Sequence, residues 1–137
     1  MKRNATAVWN GTGKEGKGNL TTQSNALNQA QYSYTSRFEE ATGTNPEELI
    51  AAAHAGCFSM KLSFLIDAAG FKAEEIKTVC MVTLENGAIS NSHLNVAAKI
   101  DGISEDKFKE LVADAEKNCP ISKSLNTNIT SEATLNK

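Results

Sequence analysis

Proline, tryptophan and histidine are scarce in this chain, with 2, 1 and 2 copies among 137 residues. Charge of one sign is lacking too. The formal net charge is −2 at pH 7, so no field draws the chain to nucleic acid or to an anionic membrane. Met1 to Asn10 lacks the apolar run of a signal peptide, and no stretch reaches the ~20 consecutive apolar residues that span a bilayer. The expected location is the cytoplasm. Cysteine is limited to 3 copies, an odd number and poor material for a structural disulfide framework without export. Neither CxxC nor CxxH occurs, so Cys57, Cys80, Cys119, His54 and His93 do not read as a metal site, although His54 and Cys57 share one helix. Repeats, linkers and low-complexity tracts are also missing. Residues 1–137 are therefore expected to form a single domain. With apolar residues at 40% and charged residues at 22%, that domain has the composition of an ordinary globular core and surface.

What is present reads as a mixture of strands and helices. Ala5 to Trp9, Asn19 to Ser24 and Tyr32 to Phe38 are short, rich in Thr, Tyr and Val, and separated by Gly and Asn; they are expected to form a strand meander. Pro46 to Ala69 is a long helix with Asn45 as its N-cap, Pro46 in the first turn and Gly70 as its stop. Glu48 stands three after Asn45, a capping-box spacing. Ile76 to Glu85 and Ile89 to Ile100 alternate around Asn86-Gly87, a hairpin signal. Phe108, Leu111, Val112 and Ala115 recur at helical spacing after the cap Ser104. Pro120 ends that helix, and Leu125 to Leu135 returns as a last strand. The order is β-β-β-α-β-β-α-β, an α+β domain.

Two motifs read as bland. Gly11-Thr-Gly13-Lys-Glu-Gly16 has the letters of a dinucleotide fingerprint, but that motif needs a helix directly after it and Asn19-Leu-Thr-Thr reads as a strand. A hairpin loop is expected, with no cofactor. Asn-x-Thr triplets such as Asn4-Ala-Thr6 mean nothing without secretion.

The stretch Thr44-Asn-Pro-Glu-Glu-Leu-Ile-Ala-Ala-Ala-His-Ala-Gly-Cys57-Phe-Ser-Met60 is the informative one. From Leu49 to Ile66 the helix is apolar nearly all round, so it is expected to be central and buried. Cys57 then reads as a small hydrophobe with an inert thiol. To be a nucleophile it needs a cation or a base beside it. His54 and Arg37 are the candidates, and Glu48 is a candidate anionic partner for Arg37. Glu48 and Cys57 lie nine positions apart, a half turn out of phase and roughly 13 Å apart along the axis. One helix does not bring both into one small site, but two copies in a symmetric dimer do.

These residues resemble the osmotically inducible protein C (OsmC) and organic hydroperoxide resistance family. The resemblance rests on Thr44 to Ile50, Ala52 to Met60, the upstream Leu27-Asn-Gln and Arg37-Phe-Glu, and the downstream Asn118-Cys119-Pro-Ile-Ser. It covers essentially the whole chain and is closer to the OsmC branch. The family implies a cofactor-free, thiol-dependent peroxidase for organic hydroperoxides and, less well, hydrogen peroxide. It implies an intertwined homodimer with a long central helix, shared active sites and an external dithiol reductant. By the resemblance, Cys57 is the peroxidatic cysteine, Cys119 the resolving cysteine, Arg37 the catalytic arginine and Glu48 the acid that holds it. Cys119 itself is open to two readings, the C-terminus of the helix before it, which would raise its pKa, or the N-cap of a short turn through Ser124, which would lower it. Cys80 reads as a core strand residue and His54 as a helix-packing residue. The rival readings are a dimer that binds a small hydrophobic ligand, and a thiol redox sensor without turnover.

Overall fold

Asn86 and Gly87 both adopt positive φ, 52° and 77°, which is what a two-residue type I′ turn demands. They join β4 (Ala73–Glu85) to β5 (Ala88–Ile100), and the pairing of Glu85 with Ala88 closes the hairpin. The computed structural model that shows this describes all 137 residues. The remaining elements are β1 (Ala5–Asn10), β2 (Lys17–Thr22), β3 (Ala30–Tyr32), α1 (Tyr34–Phe38), α2 (Pro46–Ala68), α3 (Glu105–Asn118), α4 (Pro120–Ser124) and β6 (Asn128–Leu135). The architecture is α+β, with two short helices, α1 and α4, added to the expected order.

The chain divides into two compact units, Met1–Leu49 and Ile50–Lys137. In the first, β1, β2 and β3 form an antiparallel meander. Gly11 to Gly16 is the loop between β1 and β2, so the dinucleotide-like letters do not open a helix. The expected strand over Tyr32 to Phe38 is corrected here. Only Tyr32 remains in a strand, because Ser33 caps a new helix. Its Oγ accepts from Ser36 N–H, and Ser36 Oγ accepts from Ser33 N–H, a reciprocal cap that outweighs the β-propensity of the tyrosines.

In the second unit, β5 lies between β4 and β6, antiparallel to the first and parallel to the second. Alternate β5 residues Ser92, Leu94, Val96, Ala98 and Ile100 are buried on one face. Phe58, Leu62 and Ile66 of α2 and Phe108, Leu111, Val112 and Ala115 of α3 join them in one core. Burying each such large side chain contributes about 1.5–3 kcal/mol. Within the chain α2 buries only this stripe, with His54 at its head. Met60 and Phe64 stay exposed at 64% and 65%. The expectation of a helix buried on most sides is thus met on one side, because a single three-stranded sheet has one face to offer.

Helix α2 ends as Gly70 suggests. Gly70 N–H donates to Asp67 O and Phe71 N–H to Ile66 O, the paired bonds of a Schellman motif, with Gly70 at φ 90°. An added Cβ there meets nothing within 4 Å. Gly70→Ala should therefore cost only the backbone strain, about 1–2 kcal/mol, read as a lower urea midpoint at unchanged m-value.

Candidate active site

Cys57 and Cys119 come together in the second unit with sulfurs 3.2 Å apart. Both are free thiols, and closing a disulfide needs the sulfurs to approach to about 2.05 Å. Cys57 is half-buried on α2, and Cys119 is fully buried. Cys119 is both the C-cap of α3 and the N-cap of α4. The two positions that its sequence context allows are thus the same residue in one chain corner. Its sulfur accepts from Ser122 N–H at 3.4 Å. Burial raises the Cys57 thiol above its ordinary value, and Cys119 raises it further; the Ile121 amide and the Lys61 charge pull the other way. The net effect keeps the proton on Cys57 within its own unit.

Behind Cys119 sits a buried polar web. His54 Nε2 meets Ser122 Oγ at 2.7 Å and Nδ1 meets Ser92 Oγ at 2.6 Å, and all three residues are buried. Cys80 Sγ lies 3.2 Å from Ser92 Oγ. If Nδ1 carries the proton, Ser122 O–H donates to Nε2, Nδ1–H to Ser92, and Ser92 O–H to Cys80. The reverse tautomer strands the Ser122 proton, so the first arrangement is preferred. The packing role expected for His54 is therefore also a bridge across β5 and α4. Cys80 is half-buried against the core, and burial raises its thiol while Ser92 opposes the shift.

In the first unit Arg37 stands on α1, not on a strand. Its carboxylate partner is Glu47, not the expected Glu48: Nη2 donates to Glu47 Oε1 at 2.7 Å and Nε to the same oxygen at 3.1 Å. The Glu47 hydrogen bond raises the guanidinium further. Burial alone would raise the Glu47 carboxyl, but the Arg37 bonds and charge hold it below its ordinary value. Glu48 is occupied elsewhere. Its N–H donates to the Asn45 cap at 2.8 Å, and its carboxylate accepts from Thr44 Oγ1 at 2.6 Å. A residue held at the third helical position faces its own cap, so the Glu48 carboxylate is taken up by Thr44 and Arg37 bonds Glu47.

Sequence reasoning missed Glu47, Ser92 and Ser122. Adjacent acids in Pro-Glu-Glu hid the first. Ser92 was detectable as a polar residue on the core-facing register of β5, where it requires a buried partner. Ser122 was detectable as the third residue after a cap at Cys119. His93 is half-exposed on the other face of β5, with Nδ1 2.7 Å from Thr130 Oγ1. The cysteines and histidines do not gather into a group able to hold a metal.

Helix α2 is 23 residues long and holds an 18-residue window of mean hydropathy 1.6, so it meets the length and composition of a bilayer-crossing helix although His54 and Lys61 interrupt its apolar run. Its alanines raise that value without forming a run of large apolar side chains. Clefts of about 380 Å³ and 250 Å³ open elsewhere, and neither is lined by Cys57 or Cys119.

The protein is thus an α+β chain that pairs a thiol of its longest helix with one at the corner between α3 and α4. The family model described as OsmC-like protein matches residues 39–134. The chain is 42% identical over 128 residues to peroxiredoxin OsmC of Escherichia coli (strain K12), covering 90% of each. It is 33% identical over 88 residues to organic hydroperoxide resistance protein OhrA of Bacillus subtilis (strain 168), covering 63% of this chain and 62% of that one. Among solved structures, an OsmC-like protein from Mycoplasma pneumoniae superposes with TM-score 0.77 at 16% identity, over 98% of this chain and 97% of that one. An organic hydroperoxide resistance protein from Elizabethkingia anophelis gives 0.72 at 26% identity, over 98% and 95%. The chain belongs to the OsmC-like family.

Burial, opposed by the Glu116 charge, holds the His54 imidazole below its ordinary 6.5. As pH falls through about 6.5 the unfolded chain takes a proton that the folded chain refuses. Stability from this group is complete above that pH and is lost as pH falls through the folded-state value. His54→Gln should flatten the slope of unfolding free energy just below pH 6.5, measured by urea denaturation across a pH series.

Proposed function

We infer that the protein is a cysteine-based peroxidase that reduces organic hydroperoxides, and hydrogen peroxide less well. The observation that carries this reading is the Cys57–Cys119 pair, 3.2 Å apart and reduced, in a chain 42% identical to a named peroxiredoxin. The Cys57 thiolate attacks one peroxide oxygen. The O–O bond breaks, sulfur keeps the oxygen as sulfenic acid, and the departing alkoxide takes a proton to leave as alcohol. The Cys119 thiol then displaces the sulfenic hydroxyl. An S–S bond forms, and the thiol proton leaves with that hydroxyl as water. An external dithiol reduces the disulfide by two exchanges. Cofactor and metal have no part in these steps.

Burial keeps Cys57 protonated within its own unit, so the thiolate requires a cation from elsewhere. In this reading Arg37 supplies it, from a second copy of the chain. Its fork is held by Glu47 and its charge favours the thiolate. Two further observations support a homodimer. Met60 and Phe64 on α2 and Val79 and Met81 on β4 are exposed apolar side chains, and α2 is apolar on sides that its own chain leaves uncovered. A second α2 covers such a surface as well as lipid does, and we place the enzyme in the cytoplasm. Both units act as a single domain, since the family match at residues 39–134 runs across their boundary. A ligand carrier would use the same apolar surface, but it has no need of two thiols in contact or of an arginine held by a carboxylate.

Cys57→Ser should abolish peroxide consumption, and a stopped-flow assay with cumene hydroperoxide showing near-normal turnover would remove Cys57 from the chemistry. Cys119→Ser should complete one turnover and stop at a sulfenic acid that dimedone labels. The two acids separate cleanly. Glu47→Gln should lower the rate of Cys57 oxidation by roughly tenfold, in line with the loss of a charged hydrogen-bond partner, whereas Glu48→Gln should change it little. Equal effects would break the assignment of Glu47.

A further inference from the structure

The web of His54, Ser92 and Ser122 has no part in the steps above, yet it ends at the residue that donates to the Cys119 sulfur. We propose that His54 is a positioning residue that pins the Cys119 corner, through Ser122, at the distance from which Cys119 closes onto Cys57. The proposal rests on the Cys57–Cys119 exchange and assigns a histidine to control of its second step.

The geometry is specific. Ser122 uses two atoms for two tasks: its N–H donates to Cys119 Sγ at 3.4 Å and its Oγ meets His54 Nε2 at 2.7 Å. Pulling on one moves the other, because both belong to one residue of a five-residue helix, α4. His54 is anchored in turn. It sits at the head of the buried α2 stripe, and Nδ1 is fixed by Ser92 on the central strand β5 at 2.6 Å. One imidazole thus links α2, the sheet and α4. It lies one helical turn before Cys57 on the same helix. The ring is a rigid spacer, so the α2-to-α4 distance, and with it the sulfur-to-sulfur distance, is set by a chain of short contacts.

Such a corner must hold and then give. The sulfurs at 3.2 Å have to approach to about 2.05 Å when the disulfide forms. Cys119 is the corner between two helices, with its N–H donating to Ala115 O at 3.0 Å and its C=O accepting from Lys123 N–H at 3.1 Å, so the approach falls to its side chain. Its sulfur swings toward Cys57 while Ser122 stays tied to His54. A wandering corner would leave the sulfenic acid waiting, exposed to a second peroxide and irreversible oxidation. His54 therefore acts on the resolving step and leaves the chemistry at the peroxide to Cys57.

The two nitrogens of His54 can be tested one at a time. Glutamine places an amide near the Nε2 position and keeps the Ser122 arm; asparagine reaches only the Nδ1 position and keeps the Ser92 arm. Both put a neutral polar group in the same buried site. Formation of the Cys57–Cys119 disulfide is followed in the full-length protein by rapid quench and mass spectrometry, after oxidation by cumene hydroperoxide and separately by diamide. Peroxide-dependent sulfenic acid formation serves as the internal reference. His54→Asn and Ser122→Ala should slow disulfide formation by roughly five- to tenfold under both oxidants, the loss expected for one hydrogen bond, and His54→Gln should stay close to wild type. Equal rates in the Asn and Gln variants, or an unchanged rate in Ser122→Ala, overturn the proposal. If diamide closes the wild-type pair and shows the same contrast while peroxide does not, the positioning role stands and the peroxidase reading fails. If neither oxidant closes the wild-type pair, the positioning role fails as well.

Discussion

A thiol placed among apolar side chains keeps its proton, and that constraint shapes the rest of this protein. Cys57 sits half-buried beside Cys119 at 3.2 Å, and burial, with Cys119, raises its thiol against the pull of the Ile121 amide and the Lys61 charge. The arrangement is good for closing a disulfide and poor for attacking a peroxide. A reactive thiolate here requires positive charge that the Ile50–Lys137 unit supplies only through Lys61. An arginine held by a carboxylate, as Arg37 is by Glu47, is the kind of group that meets the need, since a guanidinium stays charged at any relevant pH.

The same constraint gives meaning to the apolar surface. A helix of 23 residues that buries one stripe and leaves Met60 and Phe64 in water is unsatisfied as a lone chain. In the dimer we propose, covering that surface and delivering the charge are one event. Folding alone would then leave the thiol quiet, and assembly would activate it.

Beneath the thiols, His54 shows how a buried polar group can be stable without charge. Both ring nitrogens meet hydroxyls, and no buried side-chain polar atom is left without a partner. A charged imidazole would have to shed water with no anion in contact, so the neutral ring is favoured. Its value is geometric: three elements converge on one planar ring.

Local chemistry was legible where the signal lay within a few residues. Asn86-Gly87 specified its turn, Gly70 its helix stop and Ser104 its cap, because each depends on backbone conformation at one position. The spacing of Phe108, Leu111, Val112 and Ala115 marked a buried face that the structure shows. The Arg37 to Cys119 pattern pointed to the family for the same reason, since motif letters are local. Distance in space was not legible. Tyr32 to Phe38 looked like a strand until the Ser33–Ser36 cap turned it into a helix. Glu48 looked as suitable as Glu47 because adjacent residues differ by 100° in direction, and only the fold shows which one meets Arg37. Ser92 and Ser122, 38 and 68 positions from His54, were joined to it by tertiary structure alone. The sequence by itself determined which residues carry reactive or polar groups and which segments fold as helix or hairpin, because those follow from side-chain chemistry and short-range sterics. Which of those groups touch was decided by packing, because contact between distant positions depends on how the sheet and helices share one core.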